Sequence, residues 1–500
     1  MAPMARRARV RTPRLGVPIA AVALFLQGCG VIGTRQPAPL VPPVAVLAGD
    51  WAGALEIPGG QALAVVVHFD TAGGLLTATM DSPDQGAFGI RVGSVTFDGQ
   101  RVELALPTIA ARFEGALLQP DGMEGVWHQG GGAFPLVLQR AVGERIARPR
   151  RPQEPGESVR YRVEEVAFEN AAGLTLAGTL TIPEGPGPFP AVVLISGSGA
   201  HDRDESMFNH RPFLVLADHL TNHGIAVLRW DDRGVGGSEG DFSTATSRDF
   251  AADAEAAFEY LRRRPEVASD AVGLAGHSEG GIVAGMVAAR RSDVAFLILL
   301  AGPGLPGEEI LYMQGRAIGR AMGASEDAIR LNYEIQRATF DVLRTEPDPA
   351  RARAGVEEVL RRIFDETTPA ERAPLGIPAG AEEAWVQAQL AAVTSPWFRF
   401  FLGYDPRDDL RRIDPSVPVL AMIGDRDLQV PAEPNLAAIR EAMDRHADRL
   451  TTIVQPGLNH LFQTAATGTP AEYALIDETF SPVAMDAIAT WIRTVTAAPR

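Results

Sequence analysis

Lysine is absent from this 500-residue chain: all 46 of its Lys and Arg positions are Arg. That excludes Schiff-base chemistry on a lysine, pyridoxal-phosphate catalysis and a phosphate-binding loop closed by a GK[ST] lysine. We read the absence itself as codon bias. Cysteine is nearly absent as well. The one Cys, at position 29, excludes intrachain disulfides and cysteine-built zinc sites. Basic charge is in deficit, with 46 Arg against 62 acidic residues and a formal net charge of −16. Such a balance disfavours nucleic acid or anionic lipid as an electrostatic partner. What is present is globular in composition, 46% hydrophobic and 22% charged, in a chain long enough for several domains and a sizeable core.

The amino terminus reads as a targeting signal. Arg6, Arg7, Arg9, Arg11 and Arg14 precede the apolar run Leu15 to Leu26, which suits a signal-peptide core and is too short to span a membrane. The run ends at Leu26-Gln27-Gly28-Cys29, which resembles the lipobox of bacterial lipoproteins. The resemblance implies cleavage before Cys29 and a lipid-modified thiol, hence a cell-envelope location. Gly30 in place of an inner-membrane retention Asp favours the outer membrane. Removing residues 1–28 takes away five Arg and no acid, moving the net charge from −16 to −21, so attachment would rest on lipid rather than charge. The polar, Pro-rich stretch within residues 29–47 reads as a tether.

Residues 48–141 carry short β segments between glycine turns, among them Ala62–Asp70, Leu75–Asp81, Arg101–Pro107, Arg112–Gln119 and Phe134–Arg140. About eight strands at this spacing predict a small antiparallel barrel or sandwich. Trp51, Trp127 and Phe134 either form a binding face or fill the core; burial of large aromatics favours the core. The polar loop Asp81–Gly86 reads as a turn.

Residues 142–158 form a basic, Pro-rich linker. From 159 to 500, apolar strand-like runs (Ala191–Ser196, Ile225–Trp230, Ala271–Ala275, Phe296–Ala301, Val417–Gly424 and Leu450–Val454) alternate with helical stretches. That alternation predicts an α/β fold with a mostly parallel sheet covered by helices on both faces. Glu308 to Ala392 has helical periodicity throughout and no strand, as expected of a cap inserted at about 305–400.

The chemistry centres on Gly276-His277-Ser278-Glu279-Gly280. This G-x-S-x-G run follows an apolar strand and opens a helix, the setting a nucleophile elbow requires. A serine hydroxyl is a weak nucleophile and needs a base, which in turn needs an orienting acid. Two His follow Ser278. His446 lies in the charged segment Glu441–Arg449, whereas His460 follows a late strand, where a base can reach the strand-end serine. His460 is therefore the expected base. Asp425 and Asp427 both follow the strand Val417–Gly424, and spacing does not separate them.

Residues from about 160 to 500 resemble the α/β-hydrolases, of the serine esterase and S9/S33 peptidase-like kind. The matching pieces are Gly276 to Gly280, Asp232-Arg233-Gly234-Val235-Gly236-Gly237-Ser238, Gly424 to Pro431 and Asn459-His460. The resemblance implies the α/β-hydrolase fold with a helical cap, and its G-x-x-D-x-x-V-P acid loop places the acid at Asp427. The family's H-G-x-G loop is here Ser196-Gly197-Ser198-Gly199, which departs at Ser196 but keeps the Ser198 amide as an oxyanion donor beside that of Glu279. The Glu279 side chain is expected at the surface, favoured by the helix dipole; the alternatives are repelling anionic substrates or binding an amine. Asp232-Arg233-Gly234 is expected to brace loops rather than bind phosphate. His201 and Asp204 are not taken as a metal site, and no cofactor is expected.

The leading expectation is a lipid-anchored serine esterase with Ser278, Asp427 and His460 as triad. A peptidase or thioesterase would use the same triad, because the fold and machinery do not determine the leaving group. A reading of another class is an inactive, lipid-anchored binding protein. The substrate is expected to be a small ester or peptide.

Overall fold

The computed structural model describes residues 46–497 apart from 58–60, 72–75, 84–86, 107–110, 119–120, 130–131, 142–150, 157, 373–374 and 376–381. The signal segment, Cys29 and nearly all of the tether lie outside the described residues.

The first part of the chain is a nine-stranded antiparallel sheet. Its strands are β1 (Gly49–Ile57), β2 (Gln61–Asp70), β3 (Thr77–Ser82), β4 (Ala87–Arg91), β5 (Ser94–Phe97), β6 (Arg101–Leu106), β7 (Ala111–Leu118), β8 (Gly122–Gln129) and β9 (Gly132–Arg140). The order β4-β3-β2-β1-β9-β8-β7-β6-β5 places consecutive strands β4 and β5 at opposite ends. The link between them draws those ends together. Val92 N–H donates to Ala78 O on β3, and Gly93 N–H donates to Ala105 O on β6. One sheet is thus wrapped on itself, rather than two sheets being stacked. Alternation along β6 sends Val102, Leu104 and Leu106 into the enclosed core. Trp51 and Trp127 are buried in that core and Phe134 packs against it, so these aromatics are packing residues. Asp81, expected in a turn, is instead buried at the end of β3, where its carboxylate faces His68 Nε2 at 2.9 Å.

The end of the basic linker is not a free tether. Arg151 donates to the carbonyls of Asn209 (3.1 Å) and Ala474 (2.7 Å), and Gln153 donates to Phe480 O (2.7 Å).

The second sheet has eight strands: β10 (Arg162–Glu169), β11 (Thr175–Ile182), β12 (Phe189–Ile195), β13 (Ala226–Trp230), β14 (Val267–His277), β15 (Leu297–Leu300), β16 (Val419–Gly424) and β17 (Leu450–Gln455). Their order is β10-β11-β13-β12-β14-β15-β16-β17. Only β11 runs against the rest. Every residue of β13, β15 and β16 is buried, the mark of strands covered on both faces. Helices α1 (Pro212–Asn222) and α12 (Pro482–Ala497) close one face. The other is closed by α2 (Ser247–Arg262), α3 (Glu279–Ala288) and α11 (Ala432–Ala442).

Between β15 and β16 the chain leaves the sheet for a helical insertion. It comprises α4 (Gly307–Ala321), α5 (Glu326–Thr345), α6 (Pro349–Glu366), α7 (Pro369–Arg372), α8 (Glu382–Val393), α9 (Pro396–Gly403) and α10 (Pro406–Leu410). Local chemistry sets the helix starts. Ser325 accepts from Ala328 N–H, Asp348 from Arg351 N–H and Ser395 from Phe398 N–H, each cap worth about 1 kcal/mol. The inner faces contribute Phe340, Leu343, Val356, Leu360, Phe398 and Phe401 to the same core that underlies α2 and α3.

Candidate active site

Ser278 stands between β14 and α3 with φ 53° and ψ −121°. A non-glycine residue held there stores about 1–3 kcal/mol of strain, so its surroundings must over-determine it. They do so through two glycines. A Cβ on Gly276 would lie 1.9 Å from Gly280 O, and one on Gly280 would lie 2.2 Å from Ile195 O. Only glycine lets the helix start this close to the strand. Ser278 N–H donates to Leu300 O at 2.8 Å, fixing the turn to the neighbouring strand.

The sequence left Asp425 and Asp427 apart only by family resemblance; the structure separates them by contact. Asp427 Oδ2 lies 2.8 Å from His460 Nδ1, and both side chains are buried. Asp427 Oδ1 accepts from the Gln429 and Val430 amides, each at 2.8 Å. Asp425 points elsewhere and accepts from Gly457 N–H at 2.6 Å. His446 lies in a single 3-10 turn before β17, away from this loop. Asn459 fixes the turn that carries His460, because its Oδ1 accepts from both Leu461 N–H and Gln463 N–H. No hydrogen bond joins Ser278 to His460 among the described residues. Such bonds are often long in a free enzyme and tighten with substrate.

The loop after β12 lies directly against the serine. A Cβ on Gly197 would sit 3.2 Å from Ser278 Cβ, which brings the next residue, Ser198, beside the elbow. Ser196 is itself tied down by a side-chain contact. Its hydroxyl donates to Asp232 Oδ1 at 3.1 Å, while Asp232 Oδ2 accepts from His201 N–H at 2.9 Å. Arg233 forms a buried pair with Asp253, its Nε 2.7 Å from Oδ2, so Asp232 and Arg233 brace loops as the sequence suggested. His201 and Asp204 do not converge on a metal. His201 Nε2 faces Ser198 O at 3.0 Å, and Asp204 pairs with Arg229 at 2.7 Å.

One expectation fails. The Glu279 carboxylate is not at the surface; the residue is 2% exposed. Its Oε1 accepts from Ser247 Oγ–H at 2.6 Å and from Trp397 Nε1–H at 2.7 Å. Trp397 belongs to α9 of the cap, so a long-range contact that helical periodicity could not reveal covers the start of α3. Burial pushes the Glu279 carboxyl above its ordinary range, against the hydrogen bonds from Ser247, Trp397 and Ser198. Burial likewise pushes Asp232 well up, and the nearby charges of Asp253 and Glu279 add to this. Asp232, Asp253 and Glu279 line one small pocket with Ser196, Gly197 and Gly199.

The sequence reading also missed Glu205 and the role of His277. Glu205 accepts from Gly197 N–H at 2.7 Å and from His277 Nδ1–H at 2.8 Å. His277 Nε2–H donates to His460 O at 3.0 Å. Both ring nitrogens face acceptors, so the imidazole is held doubly protonated. Burial works against the charge on both partners, but their mutual attraction outweighs it: His277 is raised and Glu205 lowered. The pair joins the loop after β12, the turn at Ser278 and the loop that carries His460. His277 is one of the two variable positions of the motif, and its partner is 72 residues away, so no local pattern announced it.

Residues 191–349 match a family described as serine aminopeptidase, S33. Esterase EstD of Thermotoga maritima is 27% identical over 321 residues, which are 63% of this chain and 65% of that protein. An uncharacterised protein of Mycobacterium tuberculosis is 31% identical over 147 residues, 29% of this chain and 48% of that protein. The chain therefore spans just under two thirds of the first relative and about half of the second. Among solved structures, 2,6-dihydroxy-pseudo-oxynicotine hydrolase aligns with TM-score 0.37 and 18% identity over 67% of this chain and 68% of its own. Est1E of Butyrivibrio proteoclasticus, with bound ferulic acid, aligns with TM-score 0.38 and 17% identity over 67% of this chain and all of its own.

Proposed function

We propose that this chain, an α/β-hydrolase of the serine hydrolase class, cleaves carboxylic esters through Ser278, His460 and Asp427. The observation that carries the reading is the buried 2.8 Å pairing of His460 with Asp427 beside a strained serine turn. Asp427 accepts the Nδ1–H of His460 and leaves Nε2 as the acceptor. As Ser278 Oγ attacks the carbonyl carbon, its proton passes to His460 Nε2, and Asp427 stabilises the imidazolium that forms. The amides of Ser198 and Glu279 receive the oxyanion. Glu279 is the first residue of α3, where an N–H has no intrahelical acceptor. The proton on His460 then goes to the leaving alcohol, and water, activated by the same imidazole, releases the acyl group.

Esters are favoured over amino-terminal peptide substrates by the state of Glu279. This carboxyl adjoins the nucleophile, but it is 2% exposed and burial favours its neutral form, which makes it poorly suited to receive a substrate ammonium. An envelope location with a lipid anchor at Cys29 belongs to the same proposal. Loss of fatty-acid labelling in Cys29→Ser tests it.

The test of the activity is turnover of short-chain p-nitrophenyl esters and labelling by a fluorophosphonate, using residues 30–500 beside Ser278→Ala. Both signals in the parent and neither in the variant support the proposal. Faster turnover of aminoacyl p-nitroanilides or of thioesters would transfer the triad to a peptidase or thioesterase. A folded parent with none of these activities would overturn it in favour of a binding protein.

A further inference from the structure

The face of the sheet covered by α1 and α12 carries a side-chain cluster that the proposed hydrolysis does not use. His219 lies in the last turn of α1 and His223 caps the same helix. The i, i+4 spacing stacks the two imidazoles on one side, with ring centroids 4.2 Å apart. Asp486 of α12 approaches from the other helix, its Oδ1 3.1 Å from His219 Nε2. One ligand atom from each of the three residues falls within 4.8 Å of the others.

We propose that His219, His223 and Asp486 bind a divalent transition-metal ion, zinc being the best fit, which clamps the last helix of the chain to α1. Two features support this beyond proximity. First, His223 Nδ1–H donates to His219 O at 2.7 Å. That bond fixes the tautomer and leaves Nε2 as an open lone pair, which is the outer hydrogen bond that metal-bound imidazoles characteristically make. Second, His219 Nε2 is shielded from solvent and makes no aligned hydrogen bond, although Asp486 Oδ1 is near. A cation between the two would take the imidazole nitrogen and the carboxylate oxygen together.

Two imidazoles and a carboxylate suit zinc, cobalt or nickel better than calcium or magnesium, which prefer all-oxygen shells. Zinc bonds of about 2.0–2.2 Å bring tetrahedral ligand atoms to roughly 3.4 Å from one another. The exposed Asp486 side chain, 65% accessible, is free to close that gap. A water completes the fourth position.

The test uses the full chain in detergent, stripped of metal with a chelator, then titrated with Zn2+ and with Co2+. One equivalent of Zn2+ is expected to bind and to raise the thermal midpoint. One equivalent of Co2+ is expected to give the visible bands of four-coordinate cobalt with nitrogen ligands. His223→Gln and Asp486→Asn, both outside the proposed hydrolytic site, should each weaken Zn2+ binding about tenfold or more. Their ester turnover without metal should match the parent, which shows that they fold. Absence of stoichiometric binding in the parent, or equal affinity in both variants, would overturn the proposal.

Discussion

His277 Nε2–H donates to the main-chain carbonyl of His460 across 3.0 Å, so the residue before Ser278 holds the loop that carries His460. The other end of the same ring binds Glu205, which also holds the Gly197 amide of the loop after β12. Three segments that must be in mutual register are thus joined by one buried charge pair. We expect Glu205→Gln to lower stability by about 3–5 kcal/mol, since it leaves the His277 charge unpaired in the interior. Denaturant unfolding measures this, and a double variant with His277→Gln should lose less than the two single losses added together.

That pair also sets a pH dependence. The folded-state pKa of His277 is raised. Its stabilisation is complete below the ordinary histidine pKa and disappears as pH rises through the raised value. The folded-state pKa of Glu205 is lowered. Its share is present above the ordinary carboxylate pKa and disappears as pH falls through the lowered value. The stability lost by Glu205→Gln, measured by thermal unfolding across pH, should be largest between those two limits and shrink on both sides. A loss independent of pH would mean that the contact is held by shape rather than charge.

The two acids of the β16 loop should behave differently. Asp427→Asn should reduce kcat for ester turnover by about 10⁴, because the amide no longer holds the correct His460 tautomer. Asp425→Ala removes the acceptor for the Gly457 amide and should cost far less in kcat, showing mainly as about 1–3 kcal/mol of lost stability. Ser278→Ala and His460→Ala should each cost about 10⁶, and the double variant no more, since the groups act together. Steady-state kinetics and single-turnover labelling distinguish these cases.

Glu279 is expected to destabilise the fold at neutral pH. Its folded-state pKa is raised above 4.5 by burial. Between that value and the raised one the unfolded chain has already released its proton while the folded protein keeps it. Stability therefore falls as pH rises through this window. Glu279→Gln retains an oxygen for the Ser247 and Trp397 donors and removes the ionisation. Its thermal midpoint should equal the parent's at low pH and exceed it increasingly toward neutrality.

The sequence was most informative where the determinants were local. The elbow was legible because its steric demand acts within five residues, where Gly276 and Gly280 meet. The parallel sheet was legible because strands such as β15 and β16 are apolar at every position. The choice between a closed barrel and a stacked sandwich was not, since it depends on Val92 and Gly93 reaching strands toward opposite ends of the sheet. The burial of Glu279 was hidden for the same reason: its cover, Trp397, lies 118 residues away in the cap. His219 and Asp486 were likewise unconnected until α1 and α12 met on one face.

The two kinds of glycine in α3 provide a test of how closely that helix must approach the sheet. A Cβ at Gly280 would fall 2.2 Å from Ile195 O and 2.6 Å from Ser196 O, both of them main-chain atoms at the root of the loop after β12. Neither can yield without moving that loop away from Ser278. A Cβ at Gly285 would meet only Leu410 Cδ2 at 3.9 Å, an ordinary contact. Gly285→Ala should therefore stabilise the protein by about 0.5–1 kcal/mol, through helix propensity, with kcat unchanged. Gly280→Ala gains the same propensity but must push α3 and the loop apart, at about 1–3 kcal/mol. It should also lose about 10²–10³ in kcat if one oxyanion donor is displaced. Equal effects of the two substitutions on kcat would mean that the approach of α3 to β12 does not position the oxyanion amides.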